Sequence, residues 1–161
     1  MNEKMRVNLS EILPIIEEQL AEGKTVSFSP NGISMQPMLY AGRDSVTLTY
    51  PPQKLKKYDL PLYRRTGGQF VLHRVVKVSK DGSYVMCGDN QQARENGIKH
   101  EQIIGIVSEF TRNGKSYTSK NPIYHIYCRI HVKKQYIYGL YLRGKRKISL
   151  IIKKILTDKD V

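Results

Sequence analysis

Ser34 and His73 are the residues of this chain whose types and surroundings invite chemistry. Ser34 lies in Gly32-Ile33-Ser34-Met35-Gln36-Pro37-Met38-Leu39, between a glycine and a Met-x-Pro turn. His73 lies inside the apolar run Phe70-Val71-Leu72-His73-Arg74-Val75-Val76. A serine hydroxyl is a weak nucleophile until a neighbouring base takes its proton. An imidazole, with an unperturbed pKa of about 6.5, is suited to that work near neutral pH. Gly32 lets the backbone turn and a substrate approach closely, and Pro37 stiffens the exit. Each residue also has a plain structural reading. Ser34 could cap a short helix starting at Met35. His73 could be a half-buried histidine on the strand face it shares with Val71 and Val75. A third segment, Cys87-Gly88-Asp89-Asn90, reads locally as an Asp-Asn turn held by its own side chain.

In this order the three segments resemble the signal peptidase and SOS-repressor superfamily of serine peptidases, over roughly residues 24–110. Ala41-Gly42-Arg43-Asp44-Ser45-Val46 and Lys57-Tyr58-Asp59-Leu60-Pro61-Leu62-Tyr63-Arg64 extend the likeness, with Tyr58 standing where the family more often has glycine. The resemblance implies a serine endopeptidase in which Ser34 is the nucleophile and His73 the general base. Histidine in place of lysine is similar to the endoplasmic-reticulum and sporulation-type signal peptidases. It further implies that Asp89 orients the imidazole and stabilises its charged form, a role compatible with the turn. Substrate would be an extended peptide cut after a small residue and added as a strand beside the site, near Gly32 and Met35. The backbone N–H of Ser34 would serve the oxyanion. Some relatives carry a second donor, a serine hydroxyl, where this chain has Gly32, which leaves that role to a group such as Ser29 or Asn31. No cofactor is implied.

The elements that must hold these residues can be read from hydrophobic period and turn signals. Ile12, Leu13, Ile16 and Leu20 recur at helical spacing, with Ser10 as cap and Gly23 as stop. From Thr25 the period becomes two. Short strands are expected over 25–29, 46–49, 70–78 and 83–87, with a hairpin of 103–111 and 115–118 around Arg112-Asn113-Gly114. Arg65-Thr66-Gly67-Gly68 reads as a hairpin turn. The fold class expected is a mainly β catalytic core with an N-terminal helix and a basic helical C-terminal appendage, divided as 1–121 and 122–161. In the appendage Ile137, Leu140, Tyr141, Ile148, Ile151, Ile152 and Ile155 lie near one helix face, and Gly139 and Gly144 are expected to split it into two short helices. A chain ending at Asn121 should then keep the Ser34 chemistry.

Composition bounds the alternatives. A 40% hydrophobic and 25% charged chain of 161 residues is an ordinary globular domain, which excludes a disordered segment. Cys87 and Cys128 make no disulfide framework. His125, Cys128 and His131 recur at spacings of three but lack the fourth partner and paired spacing of a metal site. The charged N-terminus over 1–7 has no apolar core of a signal sequence, and no window spans a bilayer, so a cytoplasmic protein is expected. The net charge of +13 points to an anionic partner. The apolar stripe of the appendage suits an anionic membrane surface better than nucleic acid, a peripheral contact. The second functional reading is therefore a weak or inactive peptidase-like module that docks through this tail.

Overall fold

The computed structural model describes residues 9–157, with side chains described from 12 to 150. The 1–7 terminus and the side chains of Ser10, Ile151, Ile152 and Ile155 lie outside them. Helix α1 runs Leu9–Ala21 and buries Leu13, Ile16 and Leu20 in the main core. It ends as the sequence signals. Gly23 takes φ +77°, the left-handed conformation that costs glycine least, and its N–H bonds the Leu20 carbonyl while Lys24 N–H bonds that of Gln19.

Nine strands follow among the described residues: β1 Val26–Phe28, β2 Ser45–Thr49, β3 Pro61–Arg64, β4 Phe70–Leu72, β5 Arg74–Val78, β6 Tyr84–Cys87, β7 Glu95–Ile98, β8 Ile103–Arg112 and β9 Lys115–Thr118. They form two antiparallel sheets. One has the order β1-β2-β8-β3-β4 with β9 added to β8, and the other is β5-β6-β7. The β-rich core between an N-terminal and a C-terminal helix is the fold class expected from the sequence. The β8–β9 hairpin turns on Asn113 and Gly114, both at positive φ, as a two-residue turn between twisted strands requires. Strand β7 carried no period signal strong enough to be anticipated.

Two differences from the sequence reading matter for the site. The run 70–78 is not one strand. Leu72 pairs with Leu62 in the larger sheet, whereas Arg74 pairs with Cys87 in the smaller, so the chain changes sheets at His73. Both sides of this crossing are covered, which is why Leu72 to Val76 are all buried instead of alternating. The second difference is helix α2, one continuous helix over Pro122–Thr157. Gly139 and Gly144 do not break it, because a glycine lowers helix propensity without removing a backbone hydrogen bond. Tyr58 adopts φ +82°, a conformation that suits the glycine expected by resemblance.

Packing carries across residue 121. Cys128 and Val132 of α2 are buried, Tyr124 and Tyr127 join the main core cluster, and Gly139 still faces Gln92. The first half of α2 is thus core, and only the second half projects. Ending the chain at Asn121 is expected to cost at least about 3 kcal/mol, from lost burial and unpaired polar groups. Ending it at Leu142 should leave the melting temperature near that of the full chain. Thermal melts of the two truncations check this, and equal melts would place the boundary back at 121.

Candidate active site

The Ser34 turn is fixed from below and from the side. Met35, Met38 and Leu39 are buried in the main core, so the segment is anchored just after the half-buried Ser34. Leu39 N–H bonds the Met35 carbonyl at 3.0 Å. The carbonyl of Ser34 accepts the Asn90 N–H at 2.8 Å, and the Asn90 amide donates to the Ile33 carbonyl at 3.3 Å. Gly32 takes φ +83° and stands exposed at the rim. Among the described residues neither the Ser34 hydroxyl nor the N–H groups of Ser34 and Met35 have a hydrogen-bond partner.

His73 is 2% exposed, held where the chain changes sheets. Its Nδ1 lies 3.1 Å from Glu95 Oε1 and 3.4 Å from the Tyr63 hydroxyl. A carboxylate only accepts, so Nδ1 carries the hydrogen and Nε2 keeps the lone pair. Among the described residues Nε2 has no partner and no buried side-chain polar atom lacks one, so Nε2 is the edge of the ring that reaches the cavity. Burial pushes the imidazole pKa below its ordinary value, against the raising effect of Glu95. Burial also disfavours the charged form of Glu95, but hydrogen bonds from Arg65 and Tyr63 outweigh it and keep the carboxyl below the usual glutamate value. Arg65 Nε donates to Glu95 Oε2 at 2.7 Å. Burial and Glu95 push the Tyr63 hydroxyl well up, so it stays protonated.

Asp89 is elsewhere engaged. Its two oxygens take the Nε and Nη2 of Arg74 at 2.8 and 2.7 Å, and the Tyr127 hydroxyl donates at 3.1 Å. The expectation that Asp89 orients the imidazole is corrected here: no hydrogen bond joins it to His73, and the carboxylate on Nδ1 is Glu95. Arg74 and Asp89 are both buried, so two charges that water could not solvate satisfy each other. Helix α2 locks the same loop. His131 Nε2 donates to the Asp89 carbonyl at 2.8 Å, and Gln135 Nε2 donates to the carbonyls of Gly88, Asp89 and Gln91 at 2.8 to 2.9 Å.

Gly88 is where the two halves of the site meet. A Cβ placed there would lie 2.6 Å from the Ser34 carbonyl oxygen and 3.0 Å from His73 Nε2. Those two atoms are therefore no farther apart than the two distances together, and any side chain at 88 would push the serine turn away. Gly88→Ala is expected to lower kcat about ten- to a hundredfold and to lower the melting temperature as well, because the atom its methyl would meet is backbone. Unchanged kcat would show that the turn and the imidazole need not stay this close.

Ser34 and His73 open on one cleft of about 1100 Å³, which Met35, Arg65, Phe70 and Gln91 also line. β1 and β4 are the two ends of the larger sheet's order, yet Phe28 of β1 and Phe70–Leu72 of β4 line the same cleft. The two end strands of the larger sheet thus both border one space. Of the donors considered for an oxyanion, Ser29 is occupied, its hydroxyl donating to the Asp44 carbonyl at 2.8 Å. Asn31 lines the cleft. Gly32 and Met35 both line it as well.

No three His, Cys, Asp or Glu residues among those described cluster as metal ligands. Cys128 sits against Arg74, and His131 on the Asp89 loop. Glu95, Arg65 and Tyr63 escaped the sequence reading because no local pattern marks them. Glu95 sits on a short strand, and only pairing of that strand in the second sheet brings it under His73. No protein-family model and no curated protein matches this chain.

Proposed function

We propose that this chain is a signal-peptidase-like serine endopeptidase in which Ser34 attacks and His73 moves the proton. The observation that carries the reading is the shared cleft: a hydroxyl with no competing partner and a free imidazole nitrogen open on it, while a carboxylate fixes the ring from behind. An extended peptide would lie between the edges of β1 and β4, pairing through its main chain. Nε2 takes the Ser34 proton as Oγ attacks the carbonyl carbon. The N–H groups of Ser34 and Met35 are the donors for the oxyanion. The imidazolium, stabilised by Glu95, returns the proton to the leaving amine, and water then hydrolyses the acyl-enzyme by the same path.

Glu95 acts through His73 and is a positioning residue. Glu95→Gln is expected to lower kcat about ten- to a thousandfold with KM nearly constant, since an amide donor would favour the wrong tautomer. Glu95→Asp should recover part of the loss. If both variants turn over like the wild type, the carboxylate is merely structural.

The pH profile carries a sign. The base works as the neutral imidazole, and burial lowers its pKa, so kcat/KM should rise through one ionisation below about 6.5 and stay flat at neutral pH. An ionisation well above neutrality would indicate a different base. A pool of extended peptides with varied small residues, analysed for cut positions by mass spectrometry, tests the substrate class. The second reading is a module that binds peptides without cutting them. It is favoured by the absence of a hydrogen bond between Ser34 and His73 among the described residues, although such contacts often tighten only with substrate.

A further inference from the structure

The outer face of α2 is a line of apolar side chains with nothing against it among the described residues. Ile123, Ile126, Ile130, Ile137, Tyr141 and Ile148 are each at least 55% exposed. Their spacing of three, four or seven residues keeps them on one side of the continuous helix. Tyr124, Cys128, His131, Val132 and Gln135 occupy the opposite side, turned to the core. Over residues 123–135 the stripe thus faces away from the core, and in the projecting half, where Tyr136, Tyr138, Leu140, Leu142 and Leu150 are exposed as well, the same row of positions carries on as Ile137, Tyr141 and Ile148. The charge around it is of one sign. The helix Pro122–Thr157 contains nine lysines and arginines and no aspartate or glutamate. Lys133, Lys134 and Lys145 fall on or beside the stripe at helical spacing, and all three are exposed.

We infer that α2 lies along an anionic lipid surface, its isoleucine stripe sunk at the headgroup boundary and its lysines on the lipid phosphates. A second copy of the chain is a poor occupant, because two such faces would set lysine against lysine with no carboxylate between them. Nucleic acid would satisfy the cations but leave the isoleucines without a partner, since they neither stack on bases nor bond phosphates. An anionic bilayer satisfies both features of the same face. No described helix is long and apolar enough to cross a membrane, so the contact is in the plane of the surface. Because Gln135 and His131 grip the Gly88–Gln91 loop from the inner face of this helix, docking would hold the Ser34 cleft at a fixed attitude to the bilayer. The inference does not depend on the chain being a peptidase.

The test is sedimentation of the full chain with vesicles of phosphatidylcholine containing phosphatidylglycerol, and with vesicles of phosphatidylcholine alone. The wild type and Ser34→Ala should bind the anionic vesicles, release at high salt and bind the neutral ones poorly. The double substitution Ile137→Asp with Ile148→Asp lies on exposed positions of the projecting half, so the core should melt unchanged. It and the pair Lys133→Glu with Lys134→Glu should each weaken binding at least about tenfold. Four results would overturn the inference: no binding, equal binding to neutral vesicles, binding unaffected by both doubles, or a stripe-dependent dimer in light scattering. Displacement of the protein from vesicles by an oligonucleotide, equally for the wild type and the Ile137/Ile148 double, would also overturn it in favour of a nucleic-acid face.

Discussion

Ser34→Ala should remove at least about three orders of magnitude of peptide turnover while leaving the melting temperature within a degree or two of the wild type. The first half of this expectation rests on chemistry. Two serines line the cleft with the imidazole; the Ser29 hydroxyl is spent on the Asp44 carbonyl, whereas that of Ser34 has no partner among the described residues and shares the space with a ring backed by a carboxylate. The second half rests on packing. The turn is anchored by Met35, Met38 and Leu39 and by the bonds from Asn90, none of which uses the Ser34 hydroxyl. His73→Ala should be nearly as severe, and the double variant barely worse than either single, because the two act as a unit. Additive losses would mean that His73 serves the fold and not the proton.

Arg74 is where the largest loss of stability is expected. Its guanidinium is fully buried and every edge of it is used. Nε and Nη2 hold Asp89, Nη1 donates to the Tyr58 carbonyl, the Tyr124 hydroxyl and Cys128 Sγ, and Nη2 also meets Met38 Sδ. Burial alone would weaken its charge, but Asp89 and the surrounding acceptors hold its pKa well above the ordinary value. One side chain therefore joins the serine turn, the Asp89 loop and α2. Arg74→Met leaves the Asp89 carboxylate buried without a counter-ion, and should cost about 3 to 5 kcal/mol, a large share of the stability of a domain this size. Arg74→Lys should rescue little, because a single ammonium cannot span these partners. Replacing both members, Arg74→Met with Asp89→Leu, should be less damaging than Arg74→Met alone. Denaturant unfolding of the three variants decides it. A single variant with near-normal stability would mean that water reaches Asp89 after all.

What the sequence disclosed and what it hid divide by range. Local signals were sound where the cause is local. The Gly23 stop, the Asn113-Gly114 hairpin and the strands around 46–49 and 84–87 depend on residues within one turn or one ladder. The pairing of Arg74 with an acid was also foreseeable, since an arginine inside an apolar run must be neutralised. The break at His73 was not, because Val71 and Val75 keep a period of two while the chain passes between sheets. Nor was the carboxylate behind the imidazole. Asp89 sits in the segment that carries the family resemblance, whereas Glu95 reaches His73 only through tertiary pairing. The continuity of α2 was hidden for a related reason. Its glycines weaken a helix in isolation, but the first half is tied to the core and nucleates the second.

The most direct test of the central claim is covalent labelling by a serine-reactive fluorophosphonate probe, with the adduct located by peptide mapping. The expected result is one adduct, on Ser34, absent from Ser34→Ala and formed much more slowly by His73→Ala and Glu95→Gln. The labelling rate of the wild type should rise with pH through the same ionisation below about 6.5 that governs turnover. No labelling of the folded protein, or labelling spread over other serines with Ser34 untouched, would contradict the account.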